Sequence, residues 1–322
     1  MRRVCITGGA GFIGSTVADA LAAAGVEVVI VDDFRTGRRE FIEQLLDDGR
    51  AELVRGDVLD ASVLSRAFAG CDWVFHLQAN ADVRHGLEHP RHDLEQNTIA
   101  TSGVLEAMRE AGVQNILFSS TGSIYGEPEV FPTPEDAPFP IQTSLYGASK
   151  LACEGLIAAY AEGFSMTAVI CRFVSIVGER YTHGHVVDFY QKLKRDPSSI
   201  EVLGDGRQEK SYLYVGDCIE AMLLTARTHE GAGGTHIYNL GTDETIVIDD
   251  SLKIITDYLG VSPKVTHSGG PRGWVGDSPL IHLDTTRIKS LGWRPQLSIA
   301  EAVQRTVAWL DKNDEVTAGG PN

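Results

Sequence analysis

The sequence is poor in the features that would tie it to an oxidising compartment, a membrane or a polyanion. Its five cysteines, Cys5, Cys71, Cys153, Cys171 and Cys218, stand singly and in odd number. They form no CxxC pair, and several lie in apolar runs where a reduced thiol packs as a small hydrophobe. That argues against a disulfide framework and for a reducing, cytoplasmic setting. No apolar run approaches about 18 residues, so no membrane-spanning helix is expected. Two arginines are followed by a short strand-like run and glycines, so no signal peptide is expected either. Positive charge is scarce: 28 Lys and Arg against 44 Asp and Glu leave a formal net charge of -16. Such a surface repels phosphate backbones and anionic lipid heads, so neither nucleic acid nor membrane is an expected partner. An anionic small substrate would need a local basic clamp. Internal repeats and low-complexity tracts are absent.

What is present is 322 residues, 43% of them hydrophobic, enough for a large core in one big domain or two unequal parts. Short apolar strands are expected at 3–7, 27–31, 51–55, 73–77, 115–119 and 167–172. Helix-like stretches separate them at 12–24, 62–69, 93–110 and 144–162. Strands joined by helical crossovers make a parallel sheet covered on both faces. The fold class expected is therefore α/β, a doubly wound parallel Rossmann sheet with a smaller C-terminal substrate-binding cap. After about Phe173 glycine and proline become frequent, and helices are expected at 217–228, 249–259, 284–291 and 299–311. The last opens on Ser298 with Glu301 three residues on, a capping-box pattern. The expected division is 1–173, with 216–240 returning to it, for the dinucleotide domain, and 174–215 with 241–322 for the cap.

The first strand runs into Thr7-Gly8-Gly9-Ala10-Gly11-Phe12-Ile13-Gly14 and a helix. Gly8 permits a tight turn, Gly11 lets backbone amides approach a pyrophosphate, and Gly14 lets helix and strand pack closely. The spacing is GxxGxxG rather than GxGxxG, and its place between strand and helix is what gives it weight. The second strand ends in Asp32-Asp33. A carboxylate there accepts hydrogen bonds from ribose hydroxyls and repels a 2′-phosphate, which favours NAD. Arg35, Arg38 and Arg39 are solvated loop charges or, alternatively, a 2′-phosphate site. Asp57, after the third strand, is a cofactor-contacting or a turn-capping residue.

Tyr146 and Lys150 lie four apart in a helical stretch, so they share a face. A tyrosine with an ordinary pKa near 10 is a poor base at neutral pH, and a neighbouring ammonium favours the phenolate. It can then take a proton from a hydroxyl while hydride leaves the carbon. Upstream, a strand ends in Ser119-Ser120-Thr121-Gly122, and a hydroxyl at that end faces the ligand crevice of an open α/β sheet. Thr121 is the third catalytic candidate; the alternative is a hydroxyl bonding local backbone. His183 and His185 lack an evident third ligand, His76 reads as packing, and no metal site is expected.

These motifs resemble the extended short-chain dehydrogenase/reductases, in the NAD-dependent epimerase/dehydratase branch, over about residues 4–309. The closest look is to the archaeal-type UDP-glucose (UDP-galactose) 4-epimerases. The segments that carry it are His76-Leu77-Gln78-Ala79-Asn80-Ala81, 121–126, 146–150, Thr182-His183-Gly184, 204–215, Arg272-Gly273-Trp274-Val275-Gly276-Asp277 and Gly292-Trp293-Arg294-Pro295. The resemblance implies Thr121 and Tyr146 as catalytic, with Lys150 holding the nicotinamide ribose and tuning Tyr146. It implies Phe12 and Ile13 in the glycine loop, and Val58 beside Asp57, as cofactor contacts. Leu77, Gln78, Ala79, Asn97, Ser119 and Phe173 would complete the NAD pocket. Ser175, Lys210 and Arg272 would contact the substrate, the two cations holding a nucleotide diphosphate. It further implies a UDP-sugar as substrate, a transient 4-keto intermediate, and a homodimer paired through helices 93–110 and 144–162.

Three departures from the family pattern bear on which sugar binds. Gln78 replaces a small alanine, Ser175 an asparagine, and Glu179 the proline of a Gly-Pro-Arg segment. Rival expectations are another epimerase, acting on UDP-glucuronate or a UDP-N-acetylhexosamine, a dehydratase or decarboxylase of the same branch, or a catalytically dead relative that senses NAD or scaffolds a partner. Loss of Tyr or Lys would mark the last, and both are present.

Overall fold

The structure is a computed structural model describing residues 1–80, 88–139, 141–273 and 280–314. Its centre is a parallel sheet of β1 (Arg3–Thr7), β2 (Glu27–Asp32), β3 (Ala51–Arg55), β4 (Trp73–His76), β5 (Asn115–Thr121), β6 (Thr167–Phe173) and β7 (Gly234–Leu240). The spatial order is β7-β6-β5-β4-β1-β2-β3. Chain order reverses between β1 and β4, which opens a crevice at their carboxyl ends, where open α/β sheets bind ligands. The inner strands read as unbroken apolar runs because helices cover both faces. All of β6 is buried, as are Val4, Cys5 and Ile6 of β1. Fully burying a Val or Ile side chain contributes about 1.5–3 kcal/mol, so these strands anchor everything mounted on their ends.

The covering helices are α1 (Phe12–Ala23), α2 (Ala61–Phe68), α3 (Ala100–Ala111), α4 (Leu145–Gly163), α5 (His185–Arg195), α6 (Val215–His229), α7 (Ile248–Leu259) and α8 (Ile299–Lys312). Asp60 caps α2 by accepting from the Ser62 amide. Ser144 caps α4 through the Gly147 amide at 3.0 Å. The capping box at α8 is present, with Ser298 and Glu301 satisfying each other's amides. The helix expected over 93–110 is present but not uniform: an α-helical turn at Pro90–Asp93 runs into a π-helical stretch at Leu94–Ile99 and then α3. The wider π turn re-aims Gln96 and Asn97 into the protein, where both are buried.

Beyond the main sheet lie small pairings. Ser175–Val177 runs parallel to Tyr212–Tyr214, and Glu209–Lys210 sits between Ile246–Val247 and Leu280–Ile281. No helix among the described residues is long and apolar enough to cross a membrane.

Candidate active site

The glycine turn follows β1 directly. The Gly8 amide donates to the Val31 carbonyl at 2.8 Å, locking the turn onto β2. Gly8 has φ +71°, and a Cβ there would stand 2.8 Å from the Gln78 Cα. A side chain at Gly14 would drive into the Gly8 carbonyl oxygen and the Gly9 Cα. Gly11 is the N-cap of α1, with no side chain over the helix N-terminus. Phe12 is buried against Tyr181 at 5.4 Å, and Ile13 is half-buried beside it. The amides of Gly8, Gly9, Ala10 and Gly11 are taken by Val31, Asp32 and Gly8, so the first-turn amides of α1, which no side chain caps, are the donors left for an anion.

Asp32 is buried at the end of β2, and burial pushes its carboxyl up while amides of Phe34 and Ala10 oppose the shift. Its Oδ1 accepts from the Phe34 amide at 2.8 Å and its Oδ2 from the Ala10 amide at 2.9 Å. A carboxylate has about four acceptor positions, so capacity for ribose hydroxyls remains. Arg35 is held by two carboxylates at 2.7 Å, those of Asp33 and Asp57. That arginine is therefore committed to neutralising its neighbours. Asp57 also accepts from the Leu59 amide at 2.9 Å, so its turn-capping role is present, and Val58 beside it is buried. The glycine cradle and the remaining Asp32 acceptors fit a dinucleotide without a 2′-phosphate.

Opposite this loop, the Leu77 amide donates to the Thr7 carbonyl at 3.1 Å, continuing the β1–β4 register. Gln78 donates through Nε2 to Gln96 at 2.9 Å, and Ala79 follows half-buried. Asn97 joins three elements. Its Oδ1 accepts from the Asn80 amide at 2.9 Å and its Nδ2 donates to Ser149 at 2.8 Å. Ser149 in turn donates to the Tyr146 carbonyl at 2.8 Å. His76 is fully buried between Thr7 and Thr101, and burial, with the Lys150 charge, pulls its imidazole down to about 3. It is a neutral packing residue.

Thr121, Tyr146 and Lys150 converge where β5 meets α4. The Thr121 hydroxyl donates to Ser123 Oγ at 3.2 Å and accepts from the Ser123 amide at 3.1 Å, and it is near enough to the Tyr146 phenol to oppose the rise of its pKa. Lys150 donates through Nζ to the Ser119 carbonyl at 2.8 Å and lies 4.4 Å from the Phe118 ring centre. Burial pulls its ammonium down to about 8, with Cys153 and Glu154 opposing. Ser119 is buried beside it, and Phe173 is the β6 register partner of Thr121. One expectation needs correction. The helical spacing set the Lys150 ammonium to lower the Tyr146 pKa, but Lys150 is turned to the β5 carbonyl. Burial pushes the phenol up, the Thr121 hydroxyl only partly opposes it, and Asp93 adds to the rise. The chain by itself keeps Tyr146 protonated.

The substrate candidates are less gathered. Ser175 pairs with Tyr212 in the two-stranded ladder, and Lys210 is buried in the three-stranded sheet. Arg272 forms an ion pair with Glu127 at 2.5 Å, and Trp274 to Asp277 lie outside the described residues, as does Ala81. Glu179 accepts from the Tyr214 phenol at 2.9 Å and faces Arg305 at 3.4 Å. Arg180 pairs with Asp19 of α1 at 2.8 Å and covers the Phe41 ring. His185 bonds Ser251 at 2.8 Å, and burial holds its imidazole near 3. Among the described residues no three His, Cys, Asp or Glu side chains are grouped as a metal site.

Sequence reading passed over Ser120, Ser149, Glu154 and Arg172, although each bonds a residue of this constellation or its neighbour. The available signal was an arginine inside the apolar run of β6 and a carboxylate one helical turn after Lys150.

Such a site, a glycine cradle at the β1–β4 crevice with a Thr–Tyr–Lys cluster beside it, defines a dinucleotide-dependent enzyme of the Rossmann class. The NAD dependent epimerase/dehydratase family matches residues 4–241, and the chain belongs to it. The UDP-glucose 4-epimerase of Mycolicibacterium smegmatis is 32% identical over 96% of this chain and 98% of its own. A relative from the archaeon Methanocaldococcus jannaschii is 31% identical over 97% of this chain and 99% of its own. The Thermus thermophilus UDP-glucose 4-epimerase, solved with NAD, superposes with a TM-score of 0.84 at 32% identity, covering 97% and 99% of the two chains. The family's cofactor is NAD.

One prediction arises from the cradle. The purified protein should release NAD, not NADP, on denaturation. Gly14→Ala, which sets a methyl against the Gly8 carbonyl, should be purified largely without it. Chromatography of the released nucleotide reads both, and a full NAD complement in the variant would refute the close-approach argument.

Proposed function

We propose that the protein interconverts the 4-epimers of a UDP-hexose, UDP-glucose and UDP-galactose, through a transient 4-keto sugar. The observation that carries this is the Thr121–Tyr146–Lys150 convergence beside a dinucleotide cradle. In this reading residues 1–173 with 216–240 hold the cofactor, and 174–215 with 241–322 hold the sugar nucleotide. Bound NAD would supply the hydride acceptor and the positive charge of its nicotinamide ring. With its phenol ionised under that charge, Tyr146 would take the C4 hydroxyl proton, Thr121 would hydrogen-bond the reacting oxygen, and Lys150 would fix the nicotinamide ribose. The 4-keto sugar turns its other face before the reaction reverses, and Tyr146 returns the proton. Lys210 and Arg272 bind the diphosphate, Arg272 exchanging Glu127 for phosphate. Leu77, Gln78, Ala79, Asn97, Ser119 and Phe173 line the cofactor pocket, and Ser175 contacts the substrate.

Absent chemistry separates this from its neighbours. A 4,6-dehydratase needs a second acid and base after the threonine, and here those positions are Gly122 and Ser123. A uronate needs a cation near its carboxylate. The Arg180 side chain is tied to Asp19, and Glu179 adds negative charge nearby. UDP-galactose should therefore be epimerised faster than UDP-glucuronate under identical conditions, with products read by NMR. Faster turnover of the uronate, or a stable 4-keto-6-deoxy product from any hexose, would overturn the reading.

The protein also acts as a cytoplasmic homodimer in this proposal. Val104, Leu105 and Met108 are spent on the chain's own core, but Leu94 and Ile99 remain 49% and 48% exposed on the π-helical stretch. Two helices per subunit would bury them in a four-helix contact. Light scattering at micromolar concentration should give twice the 34.8 kDa chain mass, and a clean monomer would exclude the pairing.

A further inference from the structure

One face of α4 meets the end of β5 in three rungs. The Tyr146 phenol faces the Thr121 hydroxyl, which lowers its pKa, Lys150 donates to the Ser119 carbonyl at 2.8 Å, and Glu154 accepts from the Ser120 hydroxyl at 2.5 Å. Positions 146, 150 and 154 are successive turns of one helix face, so each rung fixes one residue of the strand end. The third rung is anchored from the far side. Arg172 is the β6 register partner of Ser120, and it grips Glu154 through Nη2 at 2.7 Å and Nε at 3.1 Å. Its Nη1 donates to the Tyr125 phenol at 2.6 Å and the Glu135 carbonyl at 2.8 Å. Arg172 and Glu154 are 2% and 6% exposed as a pair. Replacing such a buried pair by packed apolar residues is often neutral or stabilising, so stability alone is a weak account of it.

We propose that Glu154 and Arg172 are positioning residues for the proposed reaction, a clamp that holds the end of β5, with Ser119 and Thr121, against the Lys150 and Tyr146 face of α4. The reasoning is electrostatic as well as geometric. Lys150 is buried against the Phe118 ring and Ser119 carbonyl of β5 and neutral His76 of β4, and the groups that oppose the fall of its pKa are Cys153, whose own thiol burial pushes up, and then Glu154. Asp93, from the turn before the π stretch, acts on Tyr146. Among these neighbours Glu154 is the carboxylate that acts on Lys150. Neutralising it would remove that support and leave the Arg172 charge uncompensated behind it.

The clamp's role in turnover rests on the epimerase reading, but its effect on Lys150 does not, so the test has two arms. The first is titration of the Lys150 side chain by NMR in the NAD-bound protein, with no sugar added. The second is kcat and KM for UDP-galactose. In Glu154→Gln the Lys150 midpoint should fall by about one pH unit. Its kcat should fall roughly 10- to 10²-fold with KM near wild type, as expected for misplaced reacting groups. In Ser120→Ala, which breaks the rung but keeps the charge, kcat should fall while the Lys150 midpoint stays. Should Glu154→Gln fail to fold, Glu154→Gln with Arg172→Met leaves no unpaired charge and carries the same titration; it too should lower the midpoint. An unmoved Lys150 midpoint in the folded Glu154 variant, or wild-type kcat in both Ser120→Ala and that variant, overturns the clamp. A wild-type protein inert toward every UDP-hexose, with the Lys150 midpoint still lowered in the variant, overturns the epimerase reading and leaves the electrostatic clamp standing.

Discussion

Tyr146→Phe should lower turnover of UDP-galactose by about 10²–10⁴-fold, the usual contribution of a positioned acid–base group. The ring is kept, so packing is kept, and what is lost is the one hydroxyl that faces Thr121. The chain's own groups favour its protonated form, because burial pushes it up and Lys150 is directed to the Ser119 carbonyl. Its activation therefore depends on charge brought by the ligands. The loss should fall on kcat, with the NAD complement and thermal midpoint of the variant close to wild type. Turnover within a few-fold of wild type would remove Tyr146 from the mechanism.

The sequence made the sheet legible because its strands are buried on both faces. Runs such as Val28 to Val31, flanked by glycine and charge, have no other reading of that length. The glycine turn was legible for the same physical reason: backbone must approach backbone at Gly8 and Gly14, and a side chain forbids it. The π-helical stretch was not. Hydrophobic periodicity over 93–110 averages across one wider turn, so Gln96 and Asn97 read as ordinary helix positions. The direction of Lys150 was also hidden. Spacing puts it on the Tyr146 face, but whether its Nζ turns to the phenol or to a carbonyl depends on where β5 ends, a tertiary fact. The clamp of Glu154 and Arg172 escaped because its partners, Ser120, Tyr125 and Glu135, are scattered in sequence and meet through the β5–β6 register.

Lys150→Met should abolish turnover to a similar degree, by at least about 10²-fold, yet leave the protein about as stable as before. The ammonium is buried at a free-energy cost. Its folded midpoint is about 8 against an ordinary 10.5, a difference worth about 3 kcal/mol at neutral pH. Met fills a comparable volume without that cost, while the Ser119 carbonyl loses its donor, a penalty of about 1–3 kcal/mol. The two roughly offset, so a large activity loss should come without a large fall in unfolding free energy. The pH dependence gives the sign. Between about pH 8 and 10.5 the unfolded chain still holds a proton that the folded Lys150 has released. Wild-type stability therefore gains with rising pH through that window, relative to the Met variant, and loses that gain as pH falls through about 8. The same titration should make wild-type kcat/KM fall above about pH 8, as the free enzyme loses its ammonium. Denaturant unfolding of both proteins at pH 7, 8.5 and 10 measures the difference. A wild-type-minus-variant gap that stays flat across that range would mean Lys150 is not held as a buried ammonium, and the account of its role in the site would fall with it.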